Sequence, residues 1–362
     1  MKRFVLFSRF AVLTLAVSAL TIAPSLFADG GANHQVANTN FGVSGGNVND
    51  ITARFCCSGT LGALVTAGGV NYILSNNHVL ARGDQAASGE DISQPGRIDN
   101  NCQLPPIVAD FTTAPVLGSN VDAAIAQLRS GAMNTSGSIE DIGTISSVVK
   151  TPTVGLAVAK SGRTTGFTTG TIGSINTSVN VQYQKNCGSG KKFVVSYTNQ
   201  VVINSTTFSA GGDSGSLIVS NNSATCRQPV ALLFAGSSSS TIANPIGLVL
   251  SRLTTALGTP VSFVGGACTA SILEPVVSDN PQEAELSSES VDRAMEVMQA
   301  REYDLMSRPG VIGVGIGASD TGSTEASIVV YIDVTTGISA KVPKRINGVR
   351  VRKVFTEPFV AY

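Results

Sequence analysis

The chain has 362 residues, of which 43% are hydrophobic and 13% charged, with 38 glycines and no tryptophan. That much apolar material excludes intrinsic disorder, and the length allows two domains or one large domain with an appendage. Lys and Arg balance Asp and Glu at 24 each, and a formal charge of zero argues against electrostatic binding of nucleic acid.

In chain order, the first feature is a basic start (Lys2, Arg3, Arg9) followed by an uncharged apolar run, Phe10–Ala23. Pro24 breaks the run ahead of Leu26-Phe27-Ala28. This is the layout of a secretory signal peptide over residues 1–28. The run is shorter than the roughly 20 residues of a membrane helix; the alternative is an uncleaved anchor. No later segment is apolar enough to span a bilayer. Removing residues 1–28 takes away three basic residues and no acidic one, which leaves 334 residues with a formal charge of −3. An exported chain lies where disulfides form. The six cysteines are Cys56, Cys57, Cys102, Cys187, Cys226 and Cys268. Their pairing stays open, although a vicinal Cys56–Cys57 bond would be strained. None sits in a C-x-x-C pair, and the chain has two histidines, His34 and His78, so neither structural zinc nor another metal or cofactor is expected.

Residues 29–275 read as all-β. Thr60–Val65, Asn71–Leu74, Val154–Val158, Phe193–Tyr197, Leu217–Val219 and Val230–Phe234 are short apolar segments bounded by turn residues. Gly68-Gly69 and Asn221-Asn222 are hairpin signals. Asp122–Leu128 comes nearest to helical spacing. Charge density then more than doubles, from 24 charges in residues 29–275 to 21 in residues 276–362. Residues 276–290, with Pro281, Glu283, Glu285 and Glu289, read as a linker running into a helix. Residues 291–362 read as a small α+β module: helix over Glu289–Ser307, stopped by Arg308-Pro309-Gly310, then strands at Val311–Ile316, Ser327–Val334 and Gly348–Phe355. Gly313-Val314-Gly315-Ile316-Gly317 lacks the third glycine spacing of a dinucleotide fingerprint, and close strand packing accounts for it better.

Three segments carry chemistry: Ser75-Asn76-Asn77-His78, Val121-Asp122-Ala123-Ala124, and Gly211-Gly212-Asp213-Ser214-Gly215-Ser216. A serine hydroxyl needs a neighbouring base to become a nucleophile. Acyl transfer also places negative charge on the carbonyl oxygen, which backbone N–H groups stabilise. Glycines flanking Ser214 permit the turn that aims them. Taken singly, each segment has a plain alternative: a surface turn, an ordinary polar histidine, a solvated acid. Together their order is His, Asp, Ser, with gaps of 44 and 92 residues. Both gaps lie within about one residue of those in the chymotrypsin arrangement.

With Gly59-Thr60-Leu61-Gly62 added, these segments resemble the trypsin-like (chymotrypsin-fold) serine peptidases, in an exported bacterial-type branch, over about residues 45–265. The resemblance implies two six-stranded antiparallel β-barrels, with His78 and Asp122 from the first and Ser214 from the second. It implies that Ser214 attacks, His78 moves the proton and Asp122 orients His78. Asp110 is the rival acid. The resemblance also places Gly212 and Ser214 at the oxyanion hole and Phe208 at the base of the primary pocket. Ala235, Gly236 and Ser237 form its wall. Two departures stand out: Val79 follows His78 and Ala210 precedes the serine where family members often carry cysteines, so Cys56 and Cys57 pair elsewhere or one stays free. In the family, the position of Asp213 receives a newly freed N-terminal ammonium, yet no activation site is evident here.

The expected function is a secreted or periplasmic serine endopeptidase acting on peptide or protein substrates. One alternative is a peptidase fold that only binds. Another is a protein whose C-terminal module dominates, as a partner-binding, chaperone or inhibitory element.

Overall fold

The structure, a computed structural model, describes residues 31–221, 226–267, 286–320, 323–338 and 340–361. The expected signal peptide, residues 276–285 of the expected linker, and Cys268 lie outside them.

The first barrel comprises β1 (Val43–Asn47), β2 (Gly59–Leu61), β3 (Ala63–Ala67), β4 (Val70–Ser75), β5 (Asp91–Ser93), β6 (Ile107–Thr113) and β7 (Ala124–Leu128). They pair in the order β3-β4-β7-β6-β5-β1-β2. Only Gly62 separates β2 from β3, so the two form one bent strand and the path closes as a six-stranded barrel. Gly62 permits the bend and something more: a Cβ there would stand 1.9 Å from Gly215 O of the second barrel. The one-turn helix α1 (Asn77–Leu80) follows β4 directly. A small hairpin, β8 (Ser138–Ile139) with β9 (Gly143–Thr144), leads out of this barrel.

The second barrel comprises β10 (Ala157–Gly162), β11 (Gly166–Asn186), β12 (Ser189–Asn204), β13 (Leu217–Ser220), β14 (Pro229–Gly236) and β15 (Ser240–Pro245). The order β10-β13-β14-β15-β12-β11 closes through β10–β11 pairing. This is the expected chymotrypsin-type pair of six-stranded barrels. Asp122–Leu128 is not helical: Ala124–Leu128 forms β7 between β4 and β6, because its small apolar side chains fill both faces of a closed sheet.

The helix α2 (Ile246–Leu257) is absent from the sequence-based expectation. Pro245 opens it, Gly258 in a left-handed conformation ends it, and Ile246, Val249 and Leu253 bury one stripe in a core cluster that both barrels share. Burying side chains of this size stabilises by about 1.5–3 kcal/mol each. β16 (Ser262–Phe263) then adds to the edge of β3.

The C-terminal module begins with α3 (Ser288–Gln299), inside the span read as linker, where the Ser287 side chain accepts the Ser290 amide as N-cap. The expected single helix breaks at Ala300-Arg301 into α3 and α4 (Glu302–Met306). Both pack on β17 (Val311–Ala318), β18 (Ala326–Asp333), β19 (Arg345–Ile346) and β20 (Val349–Thr356). This sheet continues the second barrel's, since β17 pairs with β11 from Ser174↔Gly317 to Val179↔Gly313. The glycines of β17 permit that approach: a Cβ at Gly315 would stand 2.2 Å from Thr177 Oγ1, and one at Gly317 2.5 Å from Gly173 O. A last strand, β21 (Phe359–Ala361), returns to the second barrel.

Candidate active site

The sequence Ser75-Asn76-Asn77-His78 crosses from β4 into α1. The Asn76 amide group donates to Asp122 O at 2.6 Å, which ties α1 to the segment entering β7. His78 and Asp122 are thereby brought together. His78 Nδ1 lies 2.6 Å from Asp122 Oδ2, and the His78 amide donates to Oδ1 at 3.2 Å. Asp122 is fully buried, whereas 14% of the His78 side chain reaches solvent.

Asp122 draws further support from the second barrel. Tyr183 OH on β11 donates to Oδ2 at 2.8 Å and is hydrogen-bonded to Tyr197 OH at 2.7 Å. Asn244 Oδ1 accepts the Asp122 amide at 2.9 Å and its own amide group donates to Gln200 Oε1 at 2.7 Å. Burial and the adjacent Asp122 charge hold the Tyr183 phenol well above its ordinary pKa, so it remains a donor. No sequence motif marks Tyr183, Tyr197 or Asn244. The rival acid, Asp110, is instead paired with Arg129 at 2.6 Å on the barrel surface. His34 is bonded to Gly42 O at 2.8 Å and to Asp141 at 2.9 Å, a tie between loops.

Ser214 approaches from the other barrel. The Thr60 amide donates to Ser214 O at 2.8 Å. Gly59 fits between Ser214 and the residue after His78: a Cβ there would stand 2.6 Å from the Val79 side chain and 2.9 Å from Ser214 O. Gly215, at φ +94°, leaves no room for a Cβ either, with Ser75 Oγ at 2.1 Å. These glycines let the two barrels meet backbone to backbone beside Ser214. Ser214 is fully buried, and its hydroxyl donates to Phe234 O at 3.2 Å.

The turn around Ser214 has a defined polarity. Thr164 Oγ1 donates to Gly211 O at 2.7 Å, and Ser216 N–H and Oγ donate to Asp213 O at 3.0 and 2.6 Å. In a trans peptide the N–H points opposite the C=O. The amides of Gly212 and Ser214 therefore point away from these anchors, and among the described residues neither has an intramolecular acceptor. Asp213 is fully buried and accepts from the amides of Thr164, Thr165 and Ala210 at 2.8, 3.2 and 3.0 Å, and from Thr165 Oγ1 at 2.7 Å. Lys160 Nζ, also fully buried, stands 3.3 Å from Asp213 Oδ2. The position that in the resembled family can receive an N-terminal ammonium thus has an internal amine beside it.

Phe208 departs from expectation. It is fully buried in the second barrel's core with Val158, Ile172, Ile203 and Ile218, not at the base of an open pocket. Burial of a phenyl ring there outweighs its exposure in a cleft. Ala235 is fully buried, and Ala235 and Gly236 pair with β21. Ser237 lines a cavity with Ser209, Ala210 and Gly211. A separate cavity of about 370 Å³ is lined by His78, Tyr183, Phe193, Asp50 and Ala361. Cys57 and Cys187 also line it and are bonded to each other across 130 residues, joining the two barrels; Cys56 pairs with Cys102. Cys226 is disulfide-bonded too. Among the described residues no three His, Cys, Asp or Glu side chains gather closely enough to hold a metal, and no helix is long and apolar enough to cross a membrane.

The family model of the Nal1 C-terminal domain matches residues 119–246, from just before Asp122 to the start of α2. No curated protein matches the chain. Among solved structures, the chain is similar to a glutamic-acid-specific serine protease, at 22% identity over 62% of this chain and 98% of that one, with a TM-score of 0.42. It is also similar to Thermobifida fusca protease A, at 18% identity over 64% and 100% with a TM-score of 0.42. Cellulomonas bogoriensis chymotrypsin matches at 16% identity over 64% and 100%, with a TM-score of 0.41.

Proposed function

We propose that the chain is an extracytoplasmic serine endopeptidase. The observation that carries this reading is the 2.6 Å contact of His78 Nδ1 with the buried Asp122 carboxylate, on a helix whose Val79 packs across Gly59 from the Ser214 backbone. With Nδ1–H given to Asp122, the neutral ring leaves Nε2 as its basic nitrogen. In this reading the Ser214 hydroxyl exchanges its bond to Phe234 O for one to His78 Nε2. His78 then removes the Ser214 proton as Oγ forms its bond to the substrate carbonyl carbon. The carbonyl oxygen becomes an oxyanion facing the Gly212 and Ser214 amides, each worth about 3–4 kcal/mol at such a site. His78 returns the proton to the departing amine, and water repeats the sequence on the acyl-enzyme. Lys160 stands where it can pair with Asp213, so in this reading the Ser214 turn is held in shape without a newly freed N-terminus. The disulfides fit an oxidising compartment.

A second reading, a fold that binds without turnover, draws on the complete burial of Ser214 and its bond to Phe234 O. A fluorophosphonate probe separates the two. Labelling is expected on Ser214, absent in Ser214→Ala, and slowed about 10⁴-fold in Asp122→Asn, where the imidazole loses its correct tautomer. Labelling that persists in Ser214→Ala eliminates Ser214 as nucleophile, and absence of labelling in every form favours the binding reading.

A further inference from the structure

β21 is the element of the C-terminal module that leaves the module's sheet. Thr356 ends β20 beside the second barrel, its hydroxyl bonded to Ser237 Oγ at 2.6 Å and to Ser239 Oγ at 3.1 Å. After Glu357-Pro358 the chain runs between two strands of that barrel. Phe359 and Val360 pair in parallel with Val181 and Gln182 of β11. Ala361 and Val360 pair antiparallel with Ala235 and Gly236 of β14. Both edges are ones that the barrel and the module's sheet leave open: β13 accompanies β14 only to Leu232, and β17 accompanies β11 only to Val179. The Phe359 ring is buried against Tyr331 at 5.7 Å between centroids, and Ala361 lines the cavity that holds His78.

The register relates this strand to the nucleophile. Ser214 Oγ is bonded to Phe234 O, the residue directly before Ala235. A peptide lying on β14 as β21 does brings its next residue, after the one opposite Ala235, level with Phe234 and so with the hydroxyl. Main-chain pairing to an open edge supplies affinity for any extended chain, and the alternating side chains supply selectivity. A strand tethered to the same molecule competes for that edge at an effective concentration in the millimolar range. Meanwhile Ser214 has no solvent-exposed surface for a protein substrate to meet.

We propose that Phe359–Ala361 occupies the seat of the substrate's acyl-side strand. The module thereby holds the cleft closed, and the substrates are extended segments with small apolar residues opposite Ala235 and Gly236. The closure rests on the peptidase reading; the seat itself is tested apart from it. In the full-length chain, Val360→Pro keeps the Phe359 anchor but removes the Val360 amide donor, whichever neighbour it serves. Deletion of residues 357–362 removes the strand outright.

Two measurements follow on the unaltered chain and both variants. Hydrolysis of an extended peptide library should rise on the order of tenfold or more in each variant. A fluorescein-labelled peptide with the sequence of residues 357–361, added to the same forms carrying Ser214→Ala, should raise anisotropy with both variants and not with the unaltered strand. Equal hydrolysis with no peptide binding, in variants whose circular dichroism matches the unaltered chain, overturns the proposal. Unfolding of both variants overturns it as well, because the strand is then a folding element. Peptide binding without hydrolysis in any form supports the occupied seat and counts against the peptidase reading.

Discussion

Two buried carboxylates flank the cleft, and the protein treats them differently. Asp213 has a built-in amine partner, Lys160, at 3.3 Å and four N–H or O–H donors; burial lowers the Lys160 pKa and Asp213 opposes that shift. Asp122 has donors of another kind: a phenol, a backbone amide and the His78 ring. Of these only the imidazole can take on positive charge. A buried carboxylate left without a compensating charge is costly. Asp213 therefore has its compensating group built into the fold, and its bonds fix the shape of the Ser214 turn. Asp122 is balanced only when a proton arrives on His78, which is the state that the proposed acyl transfer would reach. A third acid, Asp50, beside His78, has neither arrangement: burial, opposed by His78 and Arg82, pushes its carboxyl up to about 6.

This contrast can be broken in three places. The largest effect is expected for Lys160→Met, which strands Asp213 as an unpaired buried charge. Urea unfolding should show a loss of about 3–5 kcal/mol, and adding Asp213→Asn should recover part of it. A loss no larger than that of an exposed lysine would mean that the four neutral donors suffice. Next comes Asp50→Asn. The folded-state pKa of Asp50, about 6, lies above its ordinary value of 3.8. The folded state therefore holds the proton more tightly, and the associated stability is present at low pH and lost as pH rises through about 6. Removing the carboxyl should raise stability near neutral pH by roughly 2–3 kcal/mol and flatten its decline with pH. A parallel pH profile in the variant would show that the carboxyl is relaxed by solvent. The smallest effect is Tyr183→Phe, which removes one donor from Asp122 and should slow labelling about tenfold, equivalent to about 1.4 kcal/mol. The more exposed carboxylate charge should also hold the His78 proton more tightly and move the acid limb of the rate profile upward. An unmoved limb would reduce Tyr183 to packing.

What the sequence disclosed follows from what is local. Gly-Asp-Ser-Gly is legible because the turn and its close approach to the Gly59–Gly62 segment require those residues in a row. The pairing of His78 with Asp122 is legible through order and spacing, since closing a barrel of given strand lengths fixes the distance along the chain. Lys160 was not, because its partner lies 53 positions away and the lysine sits in an apolar strand with nothing to mark it. Tyr183 and Asn244 were hidden for the same reason: their roles exist only once β11 and β15 lie beside Asp122. Helix α2 is hard to read because Pro245 closes a strand and opens a helix at one residue. The burial of Phe208 is not legible, because a position relative to Ser214 says where the backbone passes, not which way the ring turns.

The continuity of β11 with β17 has a consequence for how this polypeptide can be cut. A composition shift marks a seam near residue 275, yet the hydrogen-bonded ladder crosses from one side of it to the other. Scission there would free no separate body. The two fragments would stay zipped along a common edge, and pieces made apart would carry the template for their own reunion.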